Sequence, residues 1–145
     1  MRTILRFLAS LTALALIATP ALPTFAQDNL MHPDDVKTGL RIINQVVGHT
    51  GRLIDSKNYD TVPGEHHEIV EGAEILREAL QNEPETFRKK IGAMLDDVVA
   101  ASSALEPPSK MHDDAKLAVA HTAMADAVHA VLDQFPKDLQ PTPRN

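Results

Sequence analysis

The chain has 145 residues, no cysteine, and a formal charge of −6 from 14 Lys and Arg against 20 Asp and Glu. The acidic balance speaks against nucleic acid as a partner, because phosphates are bound by clustered Lys and Arg. Without cysteine there is no disulfide framework, no covalent c-type haem, no thiolate metal site and no thiol catalysis.

Residues 1–26 carry the pattern of a secretory signal peptide. Arg2 and Arg6 make a basic start, Phe7 to Ile17 an apolar run, and Thr24-Phe25-Ala26 a small-residue cleavage site. The run is too short to span a bilayer. The expected product is therefore soluble, periplasmic or secreted, and not inserted in a membrane after cleavage. Losing two arginines and no acid leaves 12 basic and 20 acidic groups, a charge of −8. Only Tyr59, Phe87 and Phe135 then remain as aromatics, too few for a stacking platform.

Residues 27–135 read as one all-α domain, an up-down-up-down antiparallel four-helix bundle, because apolar residues recur at spacings of three and four. The first helix opens at Pro33, with Asp34 and Asp35 at the positive end of its dipole. Its expected inner stripe is Val36, Leu40, Ile43, Val47, Thr50 or Gly51, and Ile54. Asn58 to Gly64 forms a turn, with Thr61 as a cap and Pro63 as a helix starter. The second helix turns Val62, His66, Ile69, Ala73, Leu76 and Leu80 inward. Asn82-Glu83-Pro84-Glu85 ends it, and so short a connection makes the next helix an antiparallel neighbour.

Helix three is expected to bury Phe87, Ile91, Met94, Val98, Ala101 and Leu105 before Pro107-Pro108 stops it. Ser109 is the expected cap of helix four, whose inner stripe is Leu117, His121, Met124, Val128, Val131 and Phe135. Residues 136–145 form a Pro-rich, polar tail expected to be extended and flexible. Val46, Leu53, Ile75 and Leu95 are left as an apolar flank through which two bundles could pair.

Antiparallel alignment puts five of the seven histidines toward one end: His49, His66, His67, His112 and His121. Met111 and Met124 join them. His66 and His121 fall on inner stripes, with Thr50, Gly51, Ala101 and Ser102 as small neighbours, whereas His49 and His67 point away from theirs. Imidazole is the commonest metal ligand and thioether suits Cu(I). The candidate cofactor ligands are thus His66, His121 and Met124, and the metal candidates add Met111 and His112. Copper is favoured; zinc or nickel would need more nitrogen or a carboxylate such as Glu65. Haem b held by His121 with His66 or Met124 is the other cofactor reading.

His67-Glu-Ile-Val-Glu71 and His121-Thr-Ala-Met-Ala-Asp126 resemble, in spacing, pieces of hemerythrin-like di-iron bundles. Helix three has no histidine, so that site cannot be assembled. The architecture is similar to the cytochrome b562 and cytochrome c′ bundles at the level of fold alone, and the chain is assigned to no family. Ser102, Ser103 and Ser109 sit in no nucleophile elbow and no Gly-rich phosphate loop exists, so no enzyme activity is expected. Two functions follow: a transition-metal or haem carrier, store or sensor, or a cofactor-free acidic module that binds a periplasmic protein partner or a second copy of itself.

Overall fold

The computed structural model describes residues 30–142, which leaves the expected signal peptide of residues 1–26 outside the described residues. Four long helices carry the fold: α1 (Pro33–Asp55), α2 (Glu65–Ala79), α3 (Glu85–Ser103) and α5 (Asp114–Leu132). A five-residue helix, α4 (Glu106–Lys110), and a 3-10 segment, Tyr59–Gly64, occupy the two longer connections. No strand occurs among the described residues.

Local chemistry sets the boundaries. Pro33 starts α1, and Asp34 and Asp35 lie in its first turn. At its other end, Asn58 N–H reaches the Leu53 carbonyl (2.8 Å) and Lys57 N–H the Ile54 carbonyl (3.0 Å), with Lys57 left-handed at φ 57°. The end of α4 repeats this motif. Asp113 N–H bonds Pro108 O and His112 N–H bonds Ser109 O, both at 3.0 Å, around His112 at φ 52°. These loops satisfy the last carbonyls of a helix, usually with glycine at the left-handed position. A side chain there costs about 1 kcal/mol.

Several boundary expectations change. Pro107 and Pro108 do not merely stop helix three; they sit in the first turn of α4, where proline's missing N–H costs nothing. Ser109 lies inside α4. The cap of α5 is Asp113, whose carboxylate accepts from Lys116 N–H at 3.0 Å. Thr61 bonds Asn58 (3.0 Å) rather than capping α2, which begins after Pro63 at Glu65.

α1 packs against α2 and α5, and α3 packs against the same two, so the four long helices close a ring around one core. Leu40, Ile43, Ile69, Leu76, Ile91 and Leu117 are fully buried within it. Each contributes about 1.5–3 kcal/mol relative to leaving it in water. Two glycines let α1 and α2 approach closely: a Cβ on Gly39 would stand 2.5 Å from Leu76 Cγ, and one on Gly72 2.8 Å from Ile43 Cγ2.

The inner stripes of α1 and α3 are rotated by one residue over part of their length. Val46, Leu53, Leu95 and Ser102 are buried, while Val47, Ile54, Met94 and Ala101 lie partly buried at the edge. The expected apolar flank is thereby mostly consumed, since only Ile75 of its four members stays half-exposed. The tail also departs from expectation. Leu139 is buried, and Gln140 Nε2 donates to the Leu132 and Phe135 carbonyls at 2.8 Å each. Phe135 in turn meets Phe87 edge-on at 5.9 Å.

Candidate functional site

Three imidazoles from three helices lie where helices meet, and each has one ring nitrogen fixed by a protein acceptor. His121, on α5, places Nε2 2.8 Å from the Val47 carbonyl of α1. A carbonyl only accepts, so Nε2 carries the hydrogen. The ring lies against α1 at Gly51, where an added Cβ would come within 3.2 Å of His121 Cε1.

His66, on α2, places Nδ1 2.7 Å from Ser102 Oγ of α3. Ser102 donates its own hydrogen to the Val99 carbonyl at 2.8 Å, so it accepts from His66 Nδ1–H. His49, on α1, gives Nδ1–H to Glu65 of α2 at 2.9 Å. Glu65 retains 6% side-chain exposure and His49 46%. Burial pushes the Glu65 carboxyl above the usual carboxylate range, opposed by the nearby His49 and Arg52 and assisted by Glu68.

The candidate ligand set is spread over several places. His121 belongs to the α1–α5 seam and His66 to the α2–α3 seam, each half-buried and engaged with its own partner. Met124 is fully buried in the core. Met111 is 61% exposed, and His112 lies in the turn after α4, its ring tilted at 41° against Tyr59 with centroids 4.9 Å apart. Among the described residues no three His, Cys, Asp or Glu side chains gather as a metal would require.

His112 belongs to a surface cluster that joins the two turns of this end. Tyr59 donates to Asp114, which also meets Lys57 at 3.4 Å, and His112 stands 4.0 Å from Asp60. The bond to Asp114 raises the Tyr59 hydroxyl above its ordinary range and lowers the Asp114 carboxyl.

Periodicity missed the part played by Glu65. It marks Glu65 as a first-turn acid and His49 as outward, whereas the two meet across the α1–α2 seam. Their shared level in antiparallel helices was the available signal. Thr50, fully buried on α1, adds a hydroxyl oxygen with no hydrogen-bond partner among the described residues. Below His49 opens a groove of about 640 Å³, lined by α1, Glu68 of α2, and Pro141 and Thr142. No helix among the described residues is long and apolar enough to cross a membrane. No family model, curated protein or solved structure matches the chain.

Proposed function

We propose that this chain is an exported, non-catalytic bundle of up-down-up-down topology that works by binding a protein partner. The observation that carries this reading is the outward face of α5. Ala118, Val119, Thr122 and Ala123 are exposed side by side there, Val119 to 72%, in a stretch free of Asp, Glu, Lys and Arg that Lys116, Asp126 and His129 border. Thr122 turns its hydroxyl onto the Ala118 carbonyl at 2.9 Å, which leaves its methyl outward. The exposed face of α2, by contrast, carries Glu68, Glu71, Glu74 and Glu78. Charge depletion on a surface helix is what distinguishes the centre of a binding patch from solvated surface.

A second reading, transition-metal binding with copper first, is favoured by one feature. His66 gives Nδ1–H to Ser102, which leaves Nε2 unprotonated in the neutral ring, the arrangement by which supporting hydrogen bonds orient metal-ligating histidines. Metal analysis and an absorption spectrum of protein isolated from the periplasm separate the readings. The binding module should carry neither stoichiometric metal nor a Soret band; either signal moves the lead to the cofactor reading. A photo-reactive side chain at position 119 should cross-link a discrete partner in the periplasm, while one at position 74 should not. Equal cross-linking from both positions would remove α5 from the reading.

A further inference from the structure

The groove beneath His49 brings opposite charges together. Arg52 and Glu68 both line it, from α1 and α2 respectively. The Arg52 side chain lies back along α1 over Gly48, where a Cβ would stand in ordinary contact at 3.6 Å from a guanidinium nitrogen. Gln45 adds a donor, because its Oε1 already accepts from Arg41 at 3.1 Å and its amide hydrogens remain. His49 forms the wall between them. Its Nδ1 is held by Glu65, a carboxylate buried behind it, so Nε2 is the nitrogen left for a ligand.

From this placement we infer that the groove takes a small zwitterion bearing a carboxylate and an ammonium group, of the free amino acid or short peptide class. The guanidinium of Arg52 matches a carboxylate with paired N–H donors. The Glu68 carboxylate is an acceptor suited to an ammonium, with His49 Nε2 on the same groove wall. A plain anion is disfavoured twice, by Glu68 on the wall and by a chain that carries a formal charge of −6. A plain cation meets Arg52. A ligand with no net charge escapes the long-range repulsion and still uses both poles. The volume of about 640 Å³ falls in the range typical of small-molecule sites, about 300–1,000 Å³. This inference is independent of the α5 patch, which shares no residue with the groove.

The test uses a matched trio, valine, isovalerate and isobutylamine, which share a branched body and differ only in charge. Each is titrated into the protein beginning at Gln27 and followed by backbone and side-chain NMR shifts at residues 44–52. Valine should bind at least roughly tenfold more tightly than either singly charged analogue, since each analogue loses one charge-assisted contact. Arg52→Gln should weaken valine by a similar factor. Glu68→Gln should erase the preference over isovalerate, making isovalerate bind as well as valine, and keep that over isobutylamine. Both side chains are exposed, so the variants should keep the parent's circular dichroism and melting temperature. Three results overturn the inference: no preference for valine, a valine affinity indifferent to Arg52→Gln, or a preference over isovalerate that survives Glu68→Gln.

Discussion

α1 meets its two neighbours by different chemistry. Against α2 it packs glycine into side chain, with Gly39 under Leu76 and Gly72 under Ile42 and Ile43, and closes the far end of the seam with the buried Glu65 and His49. Against α5 it uses a hydrogen bond from an imidazole to a backbone carbonyl, with Gly51 beneath the ring. The first seam is close and contains a buried carboxyl. The second is joined by an imidazole instead. Substitutions should therefore hurt the first through sterics and make it sensitive to pH, while the second should respond mainly to loss of one side chain.

The largest effect is expected at Gly39→Val. Even the first added carbon lands 2.5 Å from Leu76 Cγ and 3.0 Å from the Gly72 carbonyl, and a backbone oxygen cannot swing aside. Overpacking of this kind costs about 3 kcal/mol, which lowers the melting temperature by roughly 10 °C in a domain of this size. A variant that melts with the parent would mean that α1 and α2 do not approach as closely as described.

His121→Ala comes next. It removes a half-buried ring and the bond to Val47, at a cost of about 2 kcal/mol. Thermal melts with and without copper decide what the ring is for. The binding-module reading expects the same loss in both. A copper-induced rise in melting temperature that is present in the parent and missing in this variant would instead make His121 a ligand.

Glu65 ties the first seam to pH. Its carboxyl is raised first of all by burial, so the folded chain holds that proton more tightly than the unfolded chain does. The folded state is then favoured while the carboxyl is protonated, and this advantage falls away as pH rises from the ordinary carboxylate range through the raised value. Glu65→Gln keeps a hydrogen-bonding group of the same shape without the charge. It should flatten the stability-against-pH curve across that window and change stability near neutrality by about 1 kcal/mol or less. Denaturant melts at a series of pH values would show it; an unchanged slope would place the titration elsewhere.

These seams also explain what could be read from sequence. The all-helical architecture was legible, because each long helix repeats apolar residues every three or four positions. So was most of the inner stripe of α5, where Leu117, Met124 and Val128 are each flanked by alanine or polar residues that leave one choice. Register slipped by one where two candidates stand side by side: Val46-Val47 and Leu53-Ile54 on α1, Met94-Leu95 and Ala101-Ser102 on α3. Either member satisfies the period, and only the position of the two packing partners chooses between them. The histidines show the same limit. Their common end follows from antiparallel order, but the partners that fix them, Val47 O, Ser102 and Glu65, lie 74, 36 and 16 residues away in sequence. Leu139 escaped notice because a single apolar residue in a Pro-rich tail has no period at all.

The smallest effect is also the most diagnostic of the second seam. Gly51→Ala should gain up to about 1 kcal/mol of helix propensity in the last turns of α1. Against that, the new Cβ would lie 3.2 Å from His121 Cε1 and 3.4 Å from Nε2, so the ring must move by a few tenths of an ångström. The bond to Val47 begins at 2.8 Å and can lengthen toward about 3.1 Å without being lost. The two contributions nearly cancel, and the net change should lie within about 0.5 kcal/mol of zero. Repeating Gly51→Ala in the His121→Ala background removes the opposing contact, and the propensity gain should then emerge in full. The difference between the backgrounds is a coupling energy of about 0.5–1 kcal/mol. If Gly51→Ala has the same effect with and without the imidazole, the ring does not lie against α1 at this position, and the α1–α5 seam is held by something other than His121.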